Sequence, residues 1–381
     1  MYLKYDRPAI LMFQDGRYFE GIGFGASKKV CGEVVFTTGM VGYNETITDP
    51  SFHEQICIMT YPLIGNYGVP DWIKDEYKIH KCFESDSVKI KGLVVNEYCK
   101  IPSHYESVKS LDDFLQEQDV PGIEWVDTRA LTKIIRDEGV KLGLLQVFNP
   151  GEKPDIELIK EEVKEISDPN NKDLVSEVST ERTRHFTPSN PIGTVIVLDL
   201  GTKFNIIRNL LKKNLNVILV PHDFNYDQIM DYNPNGVLIS NGPGDPLKCK
   251  SAIEVAENLI ENSIPTMGIC LGDQIIGLGA GLETYKLKYG HRGGNKPAIH
   301  IPTERCFITT QNHGYGINTD NLEEASFKEF FYNPDDKTNE GIIHKTKPIF
   351  SLQFHPESSP GPKDTQTFLF DMFLKFMGVL K

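Results

Sequence analysis

The stretch Met267-Gly268-Ile269-Cys270-Leu271-Gly272-Asp273-Gln274 decides the fold of the second half of this chain. An apolar run, residues 264–269, leads into it, and a helix-like run, residues 274–278, follows it. Glycine stands two places before and two places after Cys270, which is typical of a sharp strand-to-helix turn without room for a Cβ. The pattern therefore predicts a nucleophile elbow rather than a buried structural cysteine.

The elbow also predicts how the cysteine would be activated. A helix that begins at Cys270 directs its free N–H groups and the positive end of its dipole at the sulfur, which favours the thiolate. The N–H of Leu271, the residue after the nucleophile, is placed to donate to an oxyanion. We therefore interpret Cys270 as a nucleophile and Leu271 as one oxyanion donor.

Composition narrows the class of protein. The 381 residues suffice for two or three domains, and 39% hydrophobic with 24% charged residues is ordinary for a globular protein. A net charge of -13 argues against nucleic acid as a partner, because phosphate binding requires a basic surface. Seven cysteines without regular spacing indicate a reducing compartment rather than a disulfide framework. Neither a CxxC nor an HExxH motif occurs, so we expect no metal site.

The sequence contains no membrane-spanning pattern. Residues 1–8 lack the apolar region of a signal peptide, and no run approaches the ~20 apolar residues of a membrane helix. We therefore expect a cytoplasmic protein without a membrane partner.

The pattern changes at residue 192, where apolar strands begin to alternate with helices. Unbroken apolar strands separated by helices predict an α/β domain, residues 192–381, with a parallel sheet covered on both faces. The predicted strands are residues 194–200, 216–220, 236–240, 264–269, 305–310, 341–344 and 348–354, and the predicted helices include 205–213, 226–231, 251–262 and 364–377.

The first part of the chain reads differently. Residues 1–150 predict a mixed, β-rich N-terminal domain that opens with a hairpin over residues 9–24, and residues 44–51 read as a polar loop. This domain shows no catalytic constellation. Residues 151–191 predict a charged amphipathic helix over 155–166 and then a linker, because residues 180–191 are polar and contain two prolines.

A cysteine nucleophile requires a base, and the base requires a group that orients it. Of the ten histidines, His355 directly follows the apolar strand 348–354, and Glu357 is two residues further on. Ligand sites in open α/β sheets form beyond the carboxyl ends of the strands, where Cys270 also lies. We therefore predict that His355 is the general base and acid and that Glu357 orients its imidazole.

Two further stretches follow predicted strands. Ser240-Asn241-Gly242-Pro243-Gly244-Asp245-Pro246 can present backbone N–H groups, and we assign the Gly242 N–H as the second oxyanion donor, although such a sequence also forms ordinary tight loops. Thr310-Gln311-Asn312-His313-Gly314-Tyr315-Gly316 is a candidate for substrate recognition.

These stretches carry a family resemblance. The elbow, the turn at 240–246 and His355-Pro356-Glu357 together resemble the class I (triad) glutamine amidotransferases, whose catalytic domain has a flavodoxin-like parallel sheet. Further stretches resemble the small, glutamine-hydrolysing subunits of carbamoyl-phosphate synthase: Thr38-Gly39-Met40-Val41-Gly42-Tyr43, Thr48-Asp49-Pro50-Ser51, Thr60-Tyr61-Pro62, Lys288-Tyr289-Gly290-His291-Arg292-Gly293-Gly294-Asn295 and Ser359-Pro360-Gly361-Pro362.

The resemblance implies a chemistry for the catalytic residues. Cys270 would attack the side-chain amide of L-glutamine, His355 would protonate the departing ammonia, and water would hydrolyse the glutamyl thioester. The glutamine contacts implied by the family pattern are Ser51, Gly242, Gly244, Leu271, Gln274, Asn312, Gly314 and Tyr315.

The resemblance also implies a partner. Ammonia would pass to a separate large subunit that uses ATP, Mg and bicarbonate to make carbamoyl phosphate for pyrimidine and arginine biosynthesis. This chain itself would need no cofactor. Residues 1–150 would dock the large subunit and close the glutamine site through Ser51.

One position departs from the family pattern, and three alternatives stay open. Asp273 stands where the family usually has histidine, and we expect its side chain to face away from the sulfur. Another amidotransferase glutaminase would share the triad but not residues 1–150. A regulatory subunit with a decayed site would not keep an intact triad. A cysteine peptidase or γ-glutamyl hydrolase would act without a partner.

Overall fold

The structure, a computed structural model, describes residues 7–380, so residues 1–6, for which we expected no signal sequence, lie outside it. The described chain divides into two compact units. The N-terminal unit comprises residues 7–75 and 80–171, and the C-terminal unit comprises residues 76–79 and 172–380. Among the described residues, no helix combines the length and the apolar character needed to cross a membrane.

The N-terminal unit is rich in β-structure, as predicted. Its strands are β1 Pro8–Phe13, β2 Tyr18–Gly25, β3 Lys29–Thr37, β4 Gln55–Met59, β5 Leu63–Ile64, β6 Gly92–Val94, β7 Glu97–Tyr98, β8 Pro121–Glu124 and β9 Lys141–Val147. Its helices are α1 Tyr43–Thr48, α2 Leu111–Glu117, α3 Thr128–Glu138 and α4 Ile156–Lys164. Seven strands close a barrel in the order β1-β2-β8-β6-β4-β3-β9, and β5 pairs with β7 in a separate two-stranded sheet.

Two segments of this unit differ from the sequence-based expectation. Residues 44–51 are not a loop, because α1 and a 3₁₀ helix, Pro50–Phe52, occupy this stretch, and Ile47 and Phe52 pack into the core. The predicted charged helix, α4, belongs to the N-terminal unit, since its apolar residues Ile159 and Val163 pack against Ile10 of β1. The boundary between the units therefore falls between residues 171 and 172.

The C-terminal unit has the predicted alternation of strands and helices. Its strands are β10 Arg184–Phe186, β11 Gly193–Asp199, β12 Leu215–Pro221, β13 Gly236–Ile239, β14 Thr266–Ile269, β15 Thr284–His300, β16 Arg305–Ile317, β17 Phe327–Tyr332, β18 Asn339–His344 and β19 Ile349–Leu352. Its helices are α5 Phe204–Lys212, α6 Tyr226–Met230, α7 Lys250–Glu261, α8 Leu271–Gly279 and α9 Gln366–Phe376.

These strands form one sheet in the order β10-β12-β11-β13-β14-β19-β18-β17-β15-β16. The central strands β12, β11, β13, β14 and β19 are parallel, which confirms the predicted α/β class. Val195 and Val197 of β11 pack into the core on one face of the sheet, whereas Ile196 and Leu198 pack into a second core on the other face. Burial on both faces explains why this strand is apolar without interruption.

Antiparallel strands extend the sheet at both edges. At one edge β10 pairs with β12 inside the stretch expected to be a linker, and Phe186 of β10 is buried in the core. At the other edge β16 continues to Ile317 instead of ending at 310, because β15 pairs with it through contacts such as His291 with His313. Residues 310–316 are therefore part of a strand and not of a loop that follows one.

Candidate active site

The elbow lies at the carboxyl end of β14, which runs between β13 and β19. Cys270 has φ 56° and ψ −101°, a strained conformation for a residue with a Cβ. A Cβ added to Gly272 would lie 2.1 Å from the carbonyl oxygen of Ile239. A Cβ added to Gly268 would lie 2.5 Å from the carbonyl oxygen of Gly272. Both glycines are required, since no real Cβ approaches other atoms so closely. The turn presents Cys270 before the first turn of α8.

His355 and Glu357 lie at the end of the neighbouring strand. The Cys270 N–H donates to the Leu352 carbonyl at 2.8 Å, which ties the elbow to β19. The His355 N–H donates to the Thr310 carbonyl at 2.8 Å, and His355 Nδ1 lies 2.7 Å from Glu357 Oε1. A carboxylate on Nδ1 fixes the orientation of the ring and leaves Nε2 for proton transfer.

The pair is deeply buried and strongly polarised. Burial alone would lower the pKa of His355, but the charge of Glu357 and the nearby Cys270 sulfur raise it to about 10. Burial likewise would raise the pKa of Glu357, but Lys203 and His355 lower it to about 2. Both shifts favour the charged forms, an imidazolium held by a carboxylate.

Lys203 is a functional candidate that we did not predict from the sequence. Its side chain is 1% exposed, and its Nζ donates to Glu357 Oε1 at 3.0 Å and to the Ser358 carbonyl at 2.7 Å. Lys203 follows β11, so it lies at the same edge of the sheet as Cys270 and His355. Its place shortly after an apolar strand was the signal available in the sequence, because ligand sites form at such ends.

The two proposed oxyanion donors are neighbours in the structure. A Cβ on Gly242 would lie 2.8 Å from Leu271 Cδ2 and 2.1 Å from the Leu200 carbonyl oxygen, so only glycine fits there. Leu271 is the first residue of α8, where backbone N–H groups have no acceptor within the helix. Gly244 has φ +89°, a backbone conformation that favours glycine, and a Cβ there would lie 3.4 Å from Leu174 Cβ.

The proposed glutamine-binding residues fall into two groups. Asn312, Gly314 and Tyr315 lie on β16 beside the elbow, and Cys270 Sγ donates to the Asn312 carbonyl at 3.4 Å. Gln274 Nε2 donates to the Tyr315 carbonyl at 3.1 Å and to Gln353 Oε1 at 3.0 Å, so it joins α8 to this strand. Ser51 belongs to the N-terminal unit, where it is buried in the 3₁₀ helix.

Asp273 is fully buried in the C-terminal unit. Burial raises its pKa, the Ser351 hydroxyl opposes the rise and the charge of Glu340 adds to it, so that the pKa reaches about 7. Its polar neighbours are therefore Ser351 and Glu340.

Comparison with known proteins assigns a family to each part of the chain. Residues 196–376 match the family model for class-I glutamine amidotransferases, and residues 11–145 match the CPSase domain of carbamoyl-phosphate synthase small chains. The carbamoyl phosphate synthase small chain of Methanocaldococcus jannaschii is 48% identical over 96% of this chain and 98% of its own length.

Two further relatives come from eukaryotes. The arginine-specific small chain of Saccharomyces cerevisiae is 42% identical over 96% of this chain and 87% of its own length. The multifunctional protein CAD of Squalus acanthias is 46% identical over 96% of this chain but only 16% of its own length. The matches span both units at high identity, and the chain therefore belongs to the family of carbamoyl phosphate synthase small chains, with a class-I glutamine amidotransferase domain as its C-terminal half.

Proposed function

We propose that this chain hydrolyses L-glutamine for carbamoyl phosphate synthesis and that Cys270, His355 and Glu357 carry the reaction. The Cys270 thiolate forms a bond to the side-chain amide carbon of glutamine. The amide C–N bond then breaks, and the nitrogen leaves as ammonia with a proton from His355. Water adds to the thioester, gives up a proton to His355 and releases glutamate, which restores the thiolate.

The remaining site residues stabilise and position the reactants. The N–H groups of Leu271 and Gly242 hold the oxyanion, and preorganised donors of this kind contribute about 10²–10³-fold in rate. Gln274, Asn312, Gly314, Tyr315, Gly244 and Ser51 bind the glutamine. Glu357 and Lys203 act through His355.

The proposed reaction releases ammonia. We propose that a large subunit receives it and uses ATP, Mg and bicarbonate to make carbamoyl phosphate for pyrimidine and arginine biosynthesis. Family membership supports a partner, since the relatives are named small chains. All seven cysteines are free thiols, which supports a reducing compartment, and we propose the cytoplasm.

The observation that carries the proposal is the intact set of catalytic contacts. His355 Nδ1 lies 2.7 Å from Glu357 Oε1 beside a strained cysteine elbow, which a decayed regulatory subunit would have no reason to keep. The match of residues 11–145 to the small-chain model distinguishes this chain from a peptidase or γ-glutamyl hydrolase that shares only the catalytic sheet.

The test compares two nitrogen sources in the reconstituted complex. We expect Cys270→Ala to abolish glutamine-dependent carbamoyl phosphate synthesis and to leave ammonia-dependent synthesis intact, because the nucleophile serves only ammonia release. Cys249→Ala is the matched control, since this thiol is also buried in the C-terminal unit but lies outside the site, and it should preserve both activities. Equal loss of both activities in Cys270→Ala would contradict a separate glutaminase role.

A further inference from the structure

Three metal-ligating side chains meet in the C-terminal unit apart from the catalytic triad. They are His291 on β15, His313 on β16 and Glu340 on β18. Each residue is 5% exposed or less. One ligand atom from each lies within 4.8 Å of the other two. Their convergence comes from the sheet, because His291 and His313 are direct cross-strand partners.

The outer nitrogen of each ring has an acceptor. His291 Nε2 lies 2.8 Å from Asp336 Oδ2, and His313 Nδ1 lies 2.8 Å from the Tyr315 carbonyl oxygen. These contacts place the N–H on the outer nitrogen and direct the lone pair of the other nitrogen inward. A carboxylate or carbonyl behind the ring is the arrangement that metal-binding histidines almost always show.

The inner atoms lack hydrogen bonds. Among the described residues, no hydrogen bond of normal geometry reaches His291 Nδ1, His313 Nε2 or either oxygen of Glu340. Glu340 Oε1 lies 3.4 Å from His291 Nδ1 and 3.9 Å from His313 Nε2. Tetrahedral zinc with bonds of about 2.0–2.1 Å separates its ligand atoms by roughly 3.3–3.5 Å. The first Glu340 distance already matches this separation, and the second is a few tenths of an ångström longer.

We propose that His291, His313 and Glu340 bind a divalent transition-metal ion, with zinc as the best fit. Two imidazoles and one carboxylate are a ligand set that zinc accepts in proteins. A water can occupy the fourth position. The ligands come from separate strands, so a search for closely spaced ligand motifs in the sequence could not find them.

The position of the ion assigns it a structural role. His313 follows Asn312, whose carbonyl accepts the hydrogen bond from Cys270 Sγ, and precedes the segment that Gln274 holds. A metal ion that joins β15, β16 and β18 therefore fixes the strand beside the nucleophile. Burial of all three ligands argues against direct contact with substrate.

A proton is the competing occupant. Burial alone would lower the pKa of His291, but the Asp336 carboxylate at Nε2 and the nearby charge of Glu340 raise it to about 9. A charged His291 would offset one of the two negative charges of Asp336 and Glu340 without any metal. The test must therefore detect the ion itself.

The first measurement is the zinc content of the full-length chain. Protein stripped with a chelator is dialysed against zinc and then against metal-free buffer, and bound zinc is counted by mass spectrometry. We expect one equivalent of bound zinc per chain in the wild type and none in Glu340→Gln or His291→Gln. His185→Gln, which changes an exposed histidine of the same unit, should match the wild type.

X-ray absorption of the wild-type protein decides the question even if the variants fold poorly. We expect a shell of nitrogen and oxygen atoms at about 2.0–2.1 Å, whereas zinc on free thiols would show sulfur at about 2.3 Å. Zinc should also raise the thermal midpoint of the wild type but not of Glu340→Gln. A sulfur shell, or equal zinc content in the wild type and Glu340→Gln, would overturn the proposal in favour of the proton.

Discussion

At the scale of single residues, the proposed reaction relies on a row of buried side chains, His355, Glu357 and Lys203, next to Cys270. In the proposed mechanism His355 contacts the reacting atoms. Glu357 Oε1 lies 2.7 Å from His355 Nδ1, and Lys203 Nζ donates to Glu357 Oε1 at 3.0 Å. A residue further from the Cys270 sulfur acts on the reaction through more intermediate side chains. The effect of a substitution should therefore decrease along the row.

We expect His355→Asn to lower the rate of glutamine hydrolysis by about 10²–10⁴-fold, the usual value of a general acid–base group. Glu357→Gln should lower it less, and Lys203→Met least, because Lys203 acts on His355 only through Glu357. Steady-state hydrolysis of glutamine by the three variants is the measurement.

Removal of one partner from a buried ion pair can also destabilise the protein, by about 3–5 kcal/mol. Lys213→Met is the matched control, because Lys213 lies at the other end of α5 and pairs with the half-exposed Asp371. If Lys203→Met hydrolyses glutamine as fast as Lys213→Met, Lys203 does not contribute to the reaction.

Asp273 provides a test by pH. Its folded pKa of about 7 lies above the ordinary value of 3.8. Between these values the folded chain keeps a proton that the unfolded chain has released, so the free energy of unfolding falls as pH rises, by about 1.4 kcal/mol for each unit of pKa difference. Asparagine does not titrate, so Asp273→Asn lacks this fall.

We therefore expect the thermal midpoint of Asp273→Asn, relative to the wild type, to be higher at about pH 8 than at about pH 5. The control is Asp320→Asn, which changes an exposed carboxyl of the same unit and should show no such trend. A constant difference between wild type and Asp273→Asn across this range would mean that Asp273 is charged when folded.

The residues differ in how far sequence reasoning could find them. Cys270 and His355 follow apolar strands, and Glu357 is two residues from His355, so position alone pointed to them. Lys203 was not predicted from the sequence because a lysine after a strand is normally solvated, whereas the side chain of Lys203 is 1% exposed. The cluster at His291 requires knowledge of strand pairing, which the sequence pattern does not contain.

At the scale of elements, the turn between β14 and α8 leaves no room for an added side chain at Gly272. Gly272 lies against the end of β13, and a Cβ there would stand 2.1 Å from the Ile239 carbonyl oxygen. Neither a carbonyl in a sheet nor the first turn of a helix can move independently. An added methyl group must therefore push α8 away from the sheet.

We expect Gly272→Ala to lower stability by about 1–3 kcal/mol, the usual effect of overpacking, and to slow alkylation of Cys270 because the elbow is distorted. Thermal denaturation and the rate of iodoacetamide labelling measure the two effects. Gly294→Ala is the control, since its Cβ would meet no atom closer than 3.5 Å. Wild-type labelling in Gly272→Ala would show that the elbow tolerates a side chain.

Helices and strands with strong apolar patterns could be predicted from the sequence. Elements stabilised by strand pairing or by a few core contacts could not. The parallel strands are buried on both faces, so their sequences are apolar throughout. The second half of β16 is polar because it borders the site, and its pairing with β15 maintains the strand. α1 is short and polar in sequence, and Tyr43 and Ile47 stabilise it by packing into the core.

At the scale of the whole molecule, the division of the chain follows packing rather than composition. The polar stretch 180–191 reads as a linker, but β10 adds to the sheet through β12, and the Thr180 N–H donates to Asp199 Oδ2 at 2.8 Å. Leu174 and Val175 are buried in the same unit. A fragment that begins at 192 therefore lacks part of the catalytic unit.

This division makes a prediction about two fragments. We expect residues 172–381 to fold with a higher thermal midpoint than residues 192–381, because the longer fragment keeps β10 and the buried side chains of Leu174 and Val175. Both fragments retain Cys270, His355 and Glu357, so the longer one should keep an alkylatable Cys270.

The same fragment tests the role of the N-terminal unit. We propose that the N-terminal unit docks the large subunit and that Ser51 contributes to glutamine binding, because the catalytic unit already contains the triad and both oxyanion donors. We expect the 172–381 fragment to bind glutamine weakly and to fail in glutamine-dependent synthesis with the large subunit, while labelling of Cys270 continues. Adding the large subunit to the fragment and to the full chain, and measuring co-elution together with carbamoyl phosphate formation, separates docking from chemistry. Synthesis by the fragment at the rate of the full chain would show that the N-terminal unit is needed for neither step.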